Sequence, residues 1–131
     1  MRKAAHRPIL IAGASLALLA VAFGAFGAHA LEGVLDAKRQ GWWQTAAQYQ
    51  MWHAIALIAL STLPLRGARP AALLLGLGTI VFSSSLYAMA LGGWRWLGMV
   101  TPLGGMLMLA GWLVLAVAAW RAGDEQLERP Q

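Results

Sequence analysis

Two histidines, His29 and His53, are the residues of this chain best placed to do chemistry. His29 lies in Phe23-Gly-Ala-Phe-Gly-Ala-His-Ala-Leu-Glu32, and His53 in Gln48-Tyr-Gln-Met-Trp-His-Ala54. Each stretch ends a long apolar segment. An imidazole can move protons near neutral pH. Tyr49 stands four residues before His53, so the two share a helix face. Gln48, Ser84, Tyr87 and Thr101 add amide and hydroxyl groups that could hold a polar headgroup or a small solute. The bland reading is a hydrogen-bond network between helices, in which each bond contributes about 0.6 kcal/mol. Glu32 is one turn from His29 and can form an ordinary surface pair with it.

The elements that must position these groups are membrane helices. The chain has 131 residues, of which 60% are hydrophobic and 11% charged. A soluble domain carries roughly 25% charged residues. The apolar residues also come in runs long enough to cross a bilayer. The expected fold is all-α, an integral membrane bundle of four transmembrane helices at about 9–31, 46–65, 71–91 and 97–120. It forms a single domain with a short basic N-terminus and a polar C-terminal tail from about 121. The first run would reach roughly 34 Å. A cleaved signal peptide is the rival reading, from the basic start and Ala28-His-Ala30, but the apolar run exceeds the usual length of about 7–15 residues.

Between the first two spans, Glu32 to Thr45 reads as a polar connector or surface helix, with Trp42 and Trp43 at headgroup level. Pro64 and Pro70 bracket a basic turn. Thr101 followed by Pro102 suggests a fresh helix start, against a continuous helix from Leu97 kinked at the proline. Helices in lipid pack through small residues. That rule marks a stripe on the first helix at Gly13, Ala17, Ala20, Gly24 and Ala28, with further packing positions at Gly27, Gly104 and Gly105. Gly76 and Gly78 are small contact positions on the third helix, and Ser83-Ser84-Ser85 can bond backbone carbonyls or a neighbouring helix. Met99, Met106 and Met108 read as apolar filling.

Lysine and arginine placement sets the orientation. Arg2, Lys3, Arg7, Arg66, Arg69, Arg121 and Arg129 fall on one side, seven in all, against Lys38, Arg39 and Arg95 on the other. Both termini are therefore expected in the cytoplasm. This topology places His29, His53, Tyr49, Tyr87, Ser84 and Thr101 in the outer leaflet half, with His53 roughly 12 Å deep.

Several function classes lack their signatures. There is no cysteine, so thiolate sites and disulfides are absent. The net charge of +5 comes from residues in short loops rather than a basic stripe, which argues against nucleic acid. His29, His53 and Glu32 make a poor zinc set, because the two histidines are on different helices and no His-x-x-His or Glu-x-x-His spacing occurs within one. No G-x-S-x-G, phosphate-binding loop or dinucleotide fingerprint occurs. Neither catalytic residues nor a cofactor are assigned.

Gly24-Ala-Phe-Gly-Ala-His-Ala-Leu, the run from Trp43 to Leu57, Ser85-Leu-Tyr, and Thr101-Pro-Leu-Gly-Gly-Met with Gly111-Trp112 resemble the domain of unknown function 423 family. That family comprises small bacterial inner-membrane proteins related to eukaryotic transmembrane protein 256. The similarity covers about Gly13 to Trp120. The family pattern more often has Gly where this chain has Ala30, and His where it has Gln50. The resemblance implies a four-span membrane protein and brings no activity with it. The leading expectation is a structural or accessory membrane protein, or one binding lipid or a small ligand, that meets membrane lipids, its own copies or another membrane protein. A minimal oligomeric transporter or channel is the alternative, and an enzyme acting on a lipid or quinone the second.

Overall fold

The computed structural model describes the backbone of residues 6–127 and the side chains of residues 6–123. Among them are four long helices: α1 (Arg7–His29), α2 (Ala37–Leu60), α3 (Ala68–Gly92) and α4 (Thr101–Leu127). A short 3-10 turn, Arg95–Met99, leads into α4. Arg2, Lys3 and Arg129, counted above for orientation, lie outside the described residues.

The helices pack in chain order. α1 lies on α2, α2 on α3 and α3 on α4, while α1 only grazes α3. Successive helices run antiparallel. At one end the His6 amide donates to the Ser61 carbonyl (2.8 Å), and Gly67 abuts Ala118. The beginning of α1, the α2–α3 turn and the end of α4 therefore share that end. At the other, Leu31, Trp43 and Ala90 form a buried cluster.

By length and composition, α1, α3 and Arg95–Gly123 are apolar enough to cross a membrane. α2 is not among them, because Lys38, Arg39, Gln40, Gln44, Gln48 and Gln50 lie within it. Its bounds also correct the expected span of 46–65. Asp36 caps the helix, its Oδ1 accepting from the Arg39 amide (2.9 Å), and so starts it nine residues earlier. What reads as a connector is helix, and Trp42 and Trp43 belong to it. The far end falls at Leu60, after which the Ser61 hydroxyl turns back to the Ile58 carbonyl (2.6 Å).

The other boundaries follow known stop and start physics. α3 takes in Pro70 as its third residue, where no backbone N–H is needed, so this proline opens the helix rather than ending the turn before it. Gly93, with φ +68°, closes α3 in the left-handed conformation that favours glycine, and its amide donates to the Met89 carbonyl. α4 starts at Thr101, but Thr101 is no cap. Its hydroxyl points backwards to the Leu97 carbonyl (3.2 Å), and Pro102 is the second helical residue. The expected polar tail from 121 continues α4 to Leu127.

Close approach occurs where glycine allows it. A Cβ on Gly104 would sit 2.5 Å from the Phe82 amide nitrogen, and one on Gly78 2.8 Å from the Gly104 carbonyl oxygen. Gly13 and Gly27 fill the same role against α2, with Ala54 and Trp43 as neighbours. A Cβ on Gly24 or Gly105 would meet nothing within 4 Å, so no close approach within this chain requires glycine there. The buried line on α1 is Gly13, Ala20 and Gly27, a heptad spacing, so the expected stripe drifts off the contact face by Gly24 and Ala28. Gly104→Val should therefore lower stability by about 1–3 kcal/mol, the usual cost of overpacking. Gly105→Ala, which has open space for its Cβ, should not lower the thermal midpoint in mild detergent and should raise it slightly through helix propensity.

Candidate functional site

The buried polar groups join helices. Gln50, 3% exposed, donates from Nε2 to the Leu16 carbonyl of α1 (2.9 Å) and accepts at Oε1 from the Tyr87 hydroxyl of α3 (2.9 Å). Trp43 donates from its indole N–H to the Phe23 carbonyl (2.7 Å), with its ring against Tyr87, Phe23 and Phe26. Gln40 donates to the Gly27 carbonyl (2.8 Å). On the same face of α3 as Tyr87, Ser83 donates to the Ala46 carbonyl of α2 (2.9 Å), while Ser85 pairs with Thr101 of α4 (2.7 Å). Thr79 is satisfied on its own helix by the Leu75 carbonyl (2.7 Å). Among the described residues, the one buried side-chain polar atom without a partner is Oε1 of Gln40.

His53 is buried between α2 and α4. Its Nδ1 lies 2.7 Å from the Tyr49 carbonyl, an acceptor, so Nδ1 carries the proton. Nε2 is then free to accept from the Trp112 indole N–H (3.2 Å). The neutral ring thus spends both nitrogens inside the protein. Tyr49 stacks near it at a centroid distance of 6.0 Å and packs on Phe82.

These positions redraw the expected site. α1 and α2 pair antiparallel, Gln40 with Gly27, Trp43 with Phe23, Gln50 with Leu16 and Ala54 with Gly13. The stretch around His29 therefore meets Gln40–Trp43 and not His53. His29 is exposed at the end of α1, roughly 24 Å along the bundle from the level of His53. Because α2 begins at Ala37, His53 lies about 24 Å from its start, beyond the middle of α1 as counted from the His29 end. The polar groups are spread through the depth of the bundle.

Gln48 is exposed and stands outside the network. Ser84 is exposed too and bonds the Ile80 carbonyl of its own helix. Tyr49, Tyr87, His53 and Thr101 do contribute to helix contacts. The inter-helix roles missed are those of Gln40, Gln50, Trp43 and Trp112, whereas Ser83 and Ser85 bond neighbouring helices. The available signal was the glutamine spacing, Gln40, Gln44, Gln48 and Gln50, in an otherwise apolar setting. Trp43, expected at headgroup level, and Trp112 are inter-helix donors.

A separate cleft of about 790 Å³ opens at the end shared by the α2–α3 turn and α4. Arg66 and Arg121 stand at its rim, and Leu113, Val114, Val117 and Ala118 form its wall.

The fold and its inward-facing polar groups define a multi-pass helical membrane protein. Residues 23–105 match the profile of the family described as "Protein of unknown function (DUF423)". A UPF0382 membrane protein of Staphylococcus haemolyticus is 42% identical over 115 residues, covering 86% of this chain and 94% of the relative. One from Staphylococcus epidermidis is 44% identical over 112 residues, covering 83% and 92%. The UPF0382 inner membrane protein YgdD of Escherichia coli is 40% identical over 119 residues, covering 88% and 91%. The chain belongs to this family, and is a protein of the bacterial inner membrane. No solved structure matches it.

If the network is a fastening, Gln50→Leu should cost about 1 kcal/mol or more, because it strips a partner from Tyr87. A double-mutant cycle with Tyr87→Phe should return a coupling near 0.6 kcal/mol. His29→Ala should lie within about 0.5 kcal/mol of wild type. Chemical unfolding in detergent measures all three.

Proposed function

We propose that the protein is a non-enzymatic accessory component of the membrane, in which α2 is the fourth span and both termini face the cytoplasm. The carrying observation is that the embedded histidine, tyrosine and threonine side chains are engaged by neighbouring helices instead of converging on open space. His53 has both ring nitrogens bonded, to Tyr49 and Trp112. An acid–base role would require it to give up one of them. The packing supports four spans: α2 lies between α1 and α3, and its first and last turns are level with the ends of α1. Arg66, Arg69 and Arg121 at the shared end of the bundle support a cytoplasmic placement of that end.

The test is native mass spectrometry of gently extracted protein, with His53→Ala beside wild type. The same set of bound small molecules is expected on both. A discrete non-lipid adduct on the wild type, lost in His53→Ala, would overturn the reading.

One observation favours a lipid-binding role in addition. The Arg66/Arg121 cleft has cationic groups at a helix end and an apolar wall running down α4 from Ala122 to Leu113. That wall is roughly 14 Å long. Phosphate at the rim and an acyl chain along the wall suit an anionic phospholipid. Each arginine near such a surface contributes about 1 kcal/mol. Replacing both by glutamine should thus lower retention of phosphatidylglycerol about 30-fold relative to phosphatidylcholine. Equal retention of both lipids by wild type would dismiss the site.

A further inference from the structure

The outward face of α2 departs from every other outward face of the bundle. α1 presents Leu10, Ile11, Leu18, Leu19 and Val21. α3 presents Leu73, Leu77, Ile80 and Leu91, and α4 presents Leu103, Met106, Leu109 and Leu113. The hydroxyls on these faces belong to Ser15 and Ser84, and a hydroxyl can turn to its own helix, as that of Ser84 does. α2 instead exposes Gln44, Gln48, Trp52, Ile55 and Ala59, one stripe opposite the buried Gln50.

The depth of the two glutamines is what makes them informative. Gln50 bonds Leu16 and Trp43 bonds Phe23, so Gln48 lies level with about Leu18, the midpoint of the 23-residue α1. Gln44 is one turn, roughly 6 Å, towards the Trp43 end. Gln40 and Gln50 donate to carbonyls of α1, whereas among the described residues Gln44 and Gln48 have no such acceptor. A primary amide has two N–H donors and a carbonyl acceptor, and its own helix cannot satisfy them all. In hydrocarbon, such groups face a protein partner or a water-filled cavity.

We propose that this face is covered by a second copy of the chain, α2 against α2 about a two-fold axis along the membrane normal. Donor and acceptor in one side chain make an amide self-complementary, and in an isologous interface each Gln48 meets the other Gln48. Two copies in one membrane share their orientation, which makes the helices parallel and keeps like residues at like depth. Below the glutamines, Gln48, Trp52, Ile55 and Ala59 recur at intervals of four, three and four, the seam spacing of two packed helices. Tyr49 flanks Trp52 at 5.2 Å between ring centroids and orients it on this face. The dimer is independent of the cleft at Arg66 and Arg121, which faces away along α4.

The chain has no cysteine, so single cysteines report contacts without background. Full-length Ile55→Cys, oxidised in native membranes, should give a disulfide-linked dimer, while Leu19→Cys on α1 and Leu109→Cys on α4 should not. Adding Gln44→Leu and Gln48→Leu should reduce the yield about tenfold, since several amide bonds of about 0.6 kcal/mol are lost. The thermal midpoint of monomer held in excess detergent should not fall in that variant, which shows that it still folds. Equal cross-linking at all three cysteines, cross-linking to a different protein at Ile55→Cys, or an undiminished yield without the glutamines would each overturn the proposal.

Discussion

Gln50 binds three helices together. Its amide reaches the Leu16 carbonyl on α1 and receives the Tyr87 hydroxyl of α3. In a bilayer interior an amide has no water to fall back on, so its donors and acceptor need protein partners. That need fixes the rotation of α2, and with it the placement of much else on the helix. Trp43 and Ala54 turn towards α1, Ala46 and Leu57 towards the interior, Tyr49 onto Phe82 of α3, and His53 towards α4. Gln44, Gln48 and Trp52 are left facing outwards. The energy of each polar contact is small, about 0.6 kcal/mol. Specificity comes from the cost of leaving any of these groups unpaired.

Small residues supply the complementary constraint. Gly13 and Gly27 let α1 approach α2 closely enough for side chains of α2 to reach α1 carbonyls, and Gly78 with Gly104 do the same for α3 and α4. Two fastening systems result. α1 is held to α2 by side chains donating to its backbone. α4 is held to α3 by glycine contact and by the Ser85–Thr101 hydroxyl pair. His53 and Trp112 tie α2 to α4, which do not otherwise meet by backbone approach.

Much of this was legible in the sequence. The apolar runs gave the spans of α1, α3 and α4, and the resemblance around His29 and His53 gave the family. The α2 boundary was misjudged because Lys38, Arg39 and Gln40 suggest water, whereas Asp36 followed by good helix formers is a start signal that outweighs them. That nine-residue error moved His53 from the outer half past the middle, and so created an apparent convergence with His29. Helix periodicity shows which residues share a face but not which face meets which neighbour. Gln48 and Gln50, two residues apart, lie on opposite sides of α2, and their fates could be separated only by seeing α1. For the same reason the sequence does not show that the N–H groups of Trp43 and Trp112 meet partners on neighbouring helices.

The central claim is that the embedded polar groups serve contacts between helices and leave no open polar site. The ring nitrogens of His53 report on it most directly, through ¹⁵N magnetic resonance of specifically labelled protein in lipid nanodiscs. The expected result is a single neutral tautomer protonated at Nδ1, with a coupling from Nε2 across the hydrogen bond to the Trp112 indole nitrogen. A ring that exchanges rapidly with water, or one protonated at Nε2 and unpaired with Trp112, would contradict the account and reopen the case for a site at His53.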